Sequence, residues 1–98
     1  MFQIHLGPDG EVVMAGRLDA TQCEAALEFL NARPAPRVID LAALEYIASG
    51  GLRVLLLTQK RARADGRNLL LVNVRAPIHD ILRYTGFDRI FDLTRAGS

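Results

Sequence analysis

The sequence predicts an α/β fold: a single domain over residues 1–98, with a mixed sheet of four to five strands covered by helices. Three observations predict it. Two short segments read as buried strands: Val38-Ile39 followed by Asp40-Leu41, and the apolar run Leu69-Leu70-Leu71-Val72. Segments with apolar residues at helical spacing separate these runs, which implies a partly parallel sheet. The N-terminus instead alternates apolar and polar residues, the mark of a strand with one buried face. The length suits one independent core, and half of the residues are apolar.

Taken in order, Phe2, Ile4 and Leu6 alternate with Gln3 and His5, so Phe2 to Leu6 is a strand. Gly7-Pro8-Asp9-Gly10 is turn chemistry, and Glu11 to Ala15 is a second β-prone run. Gly16-Arg17-Leu18-Asp19 leads into a helix. Two pairs have capping-box spacing there, Asp19 with Gln22 and Thr21 with Glu24, and the sequence does not choose between them. Cys23, Ala26, Leu27 and Leu30 form the apolar stripe of that helix, and Asn31 to Pro36 stops it.

The strand Val38 to Leu41 follows, then a loop, then a second helix from Leu52 to Ala64. Its first half is apolar almost all round and should be buried; Lys60 to Arg63 should be solvated. Asp65-Gly66 ends it. After the strand within Asn68 to Val74, Pro77 opens a third helix and Gly86 closes it. Ile78, Ile81 and Leu82 are its apolar face. The order is β-β-α-β-α-β-α; Ile90 to Leu93 allows a final short strand, and Arg95 to Ser98 reads as a frayed tail.

Charge narrows the function. Twelve Lys and Arg stand against eleven Asp and Glu, for a formal net charge of +1. No concentrated basic surface for nucleic acid is implied, and no nucleic-acid partner is expected. One cysteine forms no internal disulfide and fits a reducing, cytoplasmic compartment. The longest purely apolar run, Val54 to Leu57, is far short of a membrane span, so no membrane insertion is expected. No signal-peptide pattern is visible at the start.

Catalysis finds no support. His5 and His79 lack metal-binding spacing, and Cys23 lies on an apolar stripe. No phosphate loop or nucleophile elbow occurs, and no cofactor or metal is expected. The informative stretch runs from Val38 to Leu52: a strand, a loop and a helix start. Ser49 falls about where the helix N-cap belongs. As a cap its hydroxyl accepts a first-turn N–H bond. As a phosphate acceptor it would place a dianion at the positive end of the helix. Gly50 and Gly51 would let an oxyanion or a partner surface come close.

These residues carry a family resemblance. Asp40-Leu41, then Tyr46-Ile47-Ala48-Ser49-Gly50-Gly51-Leu52, resembles the signature of STAS domains, and in particular of bacterial anti-sigma factor antagonists. Gly16-Arg17-Leu18-Asp19, Asn68 to Val74 and Thr85-Gly86-Phe87-Asp88-Arg89-Ile90-Phe91 are similar to other family segments, in the same order. The resemblance spans residues 2 to 93. It implies a non-enzymatic module that binds a serine-kinase anti-sigma factor and is switched off by serine phosphorylation, with a PP2C-type phosphatase resetting it. It maps the phosphorylated serine onto Ser49 and the binding edge onto Asp19, Ser49, Gly50, Gly51 and Arg53. The family's Asp before the serine is Ala48 here, and Gly50 follows the serine. The last helix of many relatives is expected to be absent or very short. The Ser-Gly-Gly-Leu version is also similar to the STAS accessory subunit of a phospholipid-transport ABC complex. That alternative implies binding to the transporter's ATPase without phosphorylation.

Overall fold

The structure, a computed structural model, describes residues 1–96. Five strands lie in one sheet in chain order: β1 (Phe2–Leu6), β2 (Val12–Leu18), β3 (Val38–Ile47), β4 (Leu70–Val74) and β5 (Asp92–Arg95). Three α-helices among these residues connect them: α1 (Cys23–Asn31), α2 (Ser49–Ala64) and α3 (Ala76–Thr85). A 3-10 turn, Phe87–Arg89, precedes β5. The first strand pair is antiparallel and the others are parallel. The hairpin follows from the turn residues: Gly10 takes φ +83°, and Gly7 donates its N–H to Glu11 O. Each parallel connection crosses over through a helix, as parallel neighbours require.

Strand alternation sorts the two faces. Val12, Met14 and Leu18 of β2 join Ile39, Leu41, Leu44 and Ile47 of β3 and Leu71 of β4 in the core. Ala26 and Leu30 of α1, Leu52 and Leu55 of α2, and Ile78 and Leu82 of α3 pack into the same cluster. On the opposite face, the row Val13–Asp40–Val72 is only half-buried.

Two strands outrun their sequence expectations, for one reason. β2 continues through Gly16 and Arg17 to Leu18, and β3 runs to Ile47 where a loop was expected. Pairing between them slips twice, between Val13 and Ala15 and again between Gly16 and Arg17. Each slip opposes one residue more on β3 than on β2, which is a β-bulge. The bulges re-phase β3, so its buried residues after Leu41 are Leu44 and Ile47, three apart. Gly16 accommodates the second slip at φ +85°; a Cβ there would stand 2.0 Å from Met1 O.

Three more expectations are corrected. Neither capping box forms: Gln22 is the N-cap of α1 and makes no side-chain cap bond, while Asp19 Oδ1 accepts from Thr21 N–H in an Asx turn. The second half of α2 is not simply solvated. Ala62 and Gln59 are buried, and the Arg61 guanidinium donates to Leu30 O at 2.9 Å and Arg33 O at 2.6 Å, covering carbonyls that the end of α1 leaves free. The tail does not fray at Arg95, which lies in β5, and Ala96 N–H donates to Val74 O. Gly97 and Ser98 lie outside the described residues.

Candidate functional site

The site grows from two strand ends. β2 and β3 run parallel and finish side by side, with Leu18 opposite Ile47. In open α/β sheets the carboxyl ends of such strands carry the loops that meet ligands and partners. Here one hydrogen bond latches the two exits together: Ala48 N–H donates to Leu18 O at 2.9 Å. The loop after β2 and the start of α2 are therefore one surface.

Ala48, not Ser49, is the N-cap of α2. Its backbone is extended, at φ −83° and ψ 168°, and its carbonyl accepts from Gly51 N–H at 2.9 Å and Leu52 N–H at 3.1 Å. An alanine has no side-chain acceptor, so the helix begins without a side-chain cap. The capping reading of Ser49 is corrected accordingly. Ser49 is the first helical residue and it is exposed. Its own N–H and that of Gly50 are first-turn donors without helical partners.

The two glycines differ. Gly51 is buried, and a Cβ there would stand 2.7 Å from Ile47 Cγ1 and 2.9 Å from Leu18 Cγ and Cδ2. It lets α2 descend onto the strand ends, and buried there it supports the surface from beneath. Gly50 is half-buried, and a Cβ would meet Cys23 Sγ at 3.0 Å. Cys23 is half-buried too, and its Sγ donates to Asp19 O at 3.2 Å. Burial pushes its thiol pKa up, and the nearby Asp19 charge adds to the rise. That is the opposite of an activated nucleophile.

Asp19 is held in place. Its Oδ1 accepts from the Thr21 hydroxyl at 2.6 Å and from Thr21 N–H at 3.0 Å. The hydroxyl bond is the main influence holding this carboxyl below its ordinary value of 3.8, against partial desolvation. Arg53 is exposed one helical turn beyond Ser49, so the two share a face of α2. The structure thus gathers Asp19, Ser49, Gly50 and Arg53 around the two strand exits, with Gly51 underneath.

Sequence reading missed a pair. Arg17 and Tyr46 are register partners on β2 and β3, and the guanidinium lies 4.4 Å from the ring centroid. Both are exposed, and both sit at the ends of these strands, just ahead of the two loops. The signal was present in Gly16-Arg17-Leu18-Asp19 and Tyr46-Ile47-Ala48-Ser49, but only the bulged register shows that they meet. Among the described residues, no group of three or more His, Cys, Asp or Glu could hold a metal ion, and no helix is long and apolar enough to cross a membrane.

Comparison with known proteins is consistent with this picture. A family model described as "Mlab, STAS domain" matches residues 5–94. BtrV of Bordetella bronchiseptica, designated an anti-sigma factor antagonist, is 34% identical over 79 residues, which cover 80% of this chain and 68% of BtrV. The crystal structure of an anti-sigma factor antagonist from Mycobacterium paratuberculosis superposes with a TM-score of 0.74 at 27% identity, covering 95% of this chain and 83% of that one. The anti-sigma factor antagonist SpoIIAA, in its unphosphorylated form, shares the fold with a TM-score of 0.66 at 17% identity, covering 98% of this chain and 89% of its own.

Proposed function

The chain belongs to the STAS-domain family, with anti-sigma factor antagonists among its relatives, and from that premise we propose that it binds a serine-kinase anti-sigma factor and is released by phosphorylation of Ser49. The observation that carries the reading is the position of Ser49: exposed, first in α2, with its hydroxyl not spent on capping.

In the unmodified state Ser49 and Gly50 keep the centre of this surface low, and the charges of Asp19 and Arg53 offset each other, which suits close approach of a protein partner. Phosphorylation adds about −1.5 to −2 charges there. The domain tolerates them, because free first-turn N–H groups and the helix dipole favour an anion by about 0.3–1 kcal/mol. The bound partner does not: it would have to bury a dianion. Binding is thus lost while the fold stays intact. A PP2C-type phosphatase would restore the hydroxyl. The reading needs no catalytic group or cofactor on this chain, and it places the module in the bacterial cytoplasm with its kinase.

The test is phosphoryl transfer. Incubated with its cognate anti-sigma kinase and ATP, the wild-type protein should gain one phosphate by mass, and Ser49→Ala should gain none. No gain on wild type removes the switch. The Ser49-Gly50-Gly51-Leu52 form of the motif supports a second reading, an accessory STAS subunit that binds a transporter ATPase through the same surface without modification. Binding to such an ATPase, unchanged by ATP incubation, would select it.

A further inference from the structure

We propose that the outer edge of β1 pairs antiparallel with the same edge of a second copy of this chain, joining two sheets across a two-fold axis at Ile4. β1 is one of the two sheet edges. The hydrogen bonds that flank it fix which backbone groups it leaves free. Arg17 N–H donates to Met1 O at 2.8 Å and Gly7 N–H donates to Glu11 O at 2.7 Å. In an antiparallel pair the bonded positions alternate. Gln3, opposite Ala15, and His5, opposite Val13, therefore bond inward to β2. Phe2, Ile4 and Leu6 turn their N–H and C=O groups outward.

A free edge of this kind is normally blunted by charge, proline or a bulge. The opposite edge follows that rule, since β5 is four residues long and carries Asp92 and Arg95. β1 does not. Its sequence, Phe-Gln-Ile-His-Leu, holds no Lys, Arg, Asp, Glu or Pro, and its register with β2 is unbroken.

The occupant follows from self-complementarity. Centred on Ile4, the edge sets Ile4 against Ile4 of the copy, and Phe2 against Leu6 in both directions. These are the outward-bonding positions, so every free N–H finds a carbonyl. The side chains match as well. Phe2 and Ile4 are half-buried against the core, while Leu6 is 50% exposed. Alternation puts all three on the core-side face, so pairing continues the apolar layer from one copy to the next. On the other face Gln3 meets His5. No like charges oppose each other anywhere in the pair. The site around Ser49 lies at the end of β3, two strands in from this edge, so this pairing is independent of the proposed switch.

The experiment is sedimentation velocity on the full chain across a dilution series, with amide hydrogen exchange on the same samples. The expected result is a dimer that dissociates on dilution, with protection of the Phe2, Ile4 and Leu6 amides lost in step while Gln3 and His5 stay protected. Leu6→Lys places a charge on the exposed rim of the seam and should leave a folded monomer. Ile4→Pro removes an outward N–H without touching the bonds to β2 and should do the same. A wild-type monomer at every concentration overturns the proposal. So does a dimer in which the Phe2, Ile4 and Leu6 amides exchange freely, or one that Leu6→Lys leaves intact. The wild-type exchange pattern decides the matter even if a variant fails to fold.

Discussion

Replacing Gly51 with alanine tests how α2 is seated. A glycine-to-alanine change at an unhindered position stabilises a protein by about 0.4–1 kcal/mol, because the unfolded chain has less freedom to lose. At Gly51 the new methyl would stand 2.7 Å from Ile47 Cγ1 and 2.9 Å from two Leu18 carbons, all in a closed interior. Leu18 is fully buried and Ile47 is 3% exposed, so neither side chain has room to swing away. Overpacking of this kind costs about 1–3 kcal/mol. Steric cost less helix gain leaves a net loss of about 1 kcal/mol, or roughly 4–8 °C in Tm for a domain of this size. Urea unfolding should show a lower midpoint at unchanged slope. The sign is what matters. A variant as stable as wild type, or more stable, would show that the helix does not depend on this close approach, and the structural role given to Gly51 would fall.

Gln59 should be costly to remove. It is 1% exposed, its Oε1 accepts from Leu69 N–H at 2.8 Å, and its Nε2 donates to Ile90 O. Gln59→Ala would orphan a buried donor and open a cavity, a loss of about 2–4 kcal/mol by urea titration; a loss below about 0.5 kcal/mol, the scale of a plain surface substitution, would contradict the staple. Asp19 has a pH signature. Its folded carboxyl lies below the ordinary 3.8, so its bond to Thr21 contributes stability above the unfolded value and loses it as pH falls below 3.8 toward the folded value. Asp19→Asn should therefore be less stable at neutral pH and lose less on acidification, and parallel stability curves would refute this.

How much of this was legible in the sequence depends on whether a signal was local. Pro77 and Gly86 bracket α3 as expected, and the turn at Gly7 to Gly10 closes the hairpin, because each acts through its own backbone. The tail of β3 was hidden because alternation is legible only in a regular strand, and two bulges change the phase of Leu44 and Ile47. Arg61 looked like a surface residue and Gln59 drew no expectation, since nothing nearby in sequence announces partners at Leu69, Ile90, Leu30 and Arg33. At the site, the family resemblance put Ser49 and Arg53 on one binding edge, and that they share a helix face follows from α2 beginning at Ser49. One residue of frame separated cap from first helical position, and that shift frees the Ser49 hydroxyl. Gly51 showed as a glycine near a helix start, but whether it faces outward or into the core is a tertiary fact.

In the proposed switch, one exposed hydroxyl governs docking without governing folding. The direct measurement is the affinity of the anti-sigma kinase for the wild-type chain and for its enzymatically phosphorylated form, with Tm recorded for both. Phosphorylation should cause a large loss of affinity with Tm nearly unchanged. Equal affinities, or a phosphorylated chain that unfolds, would contradict it.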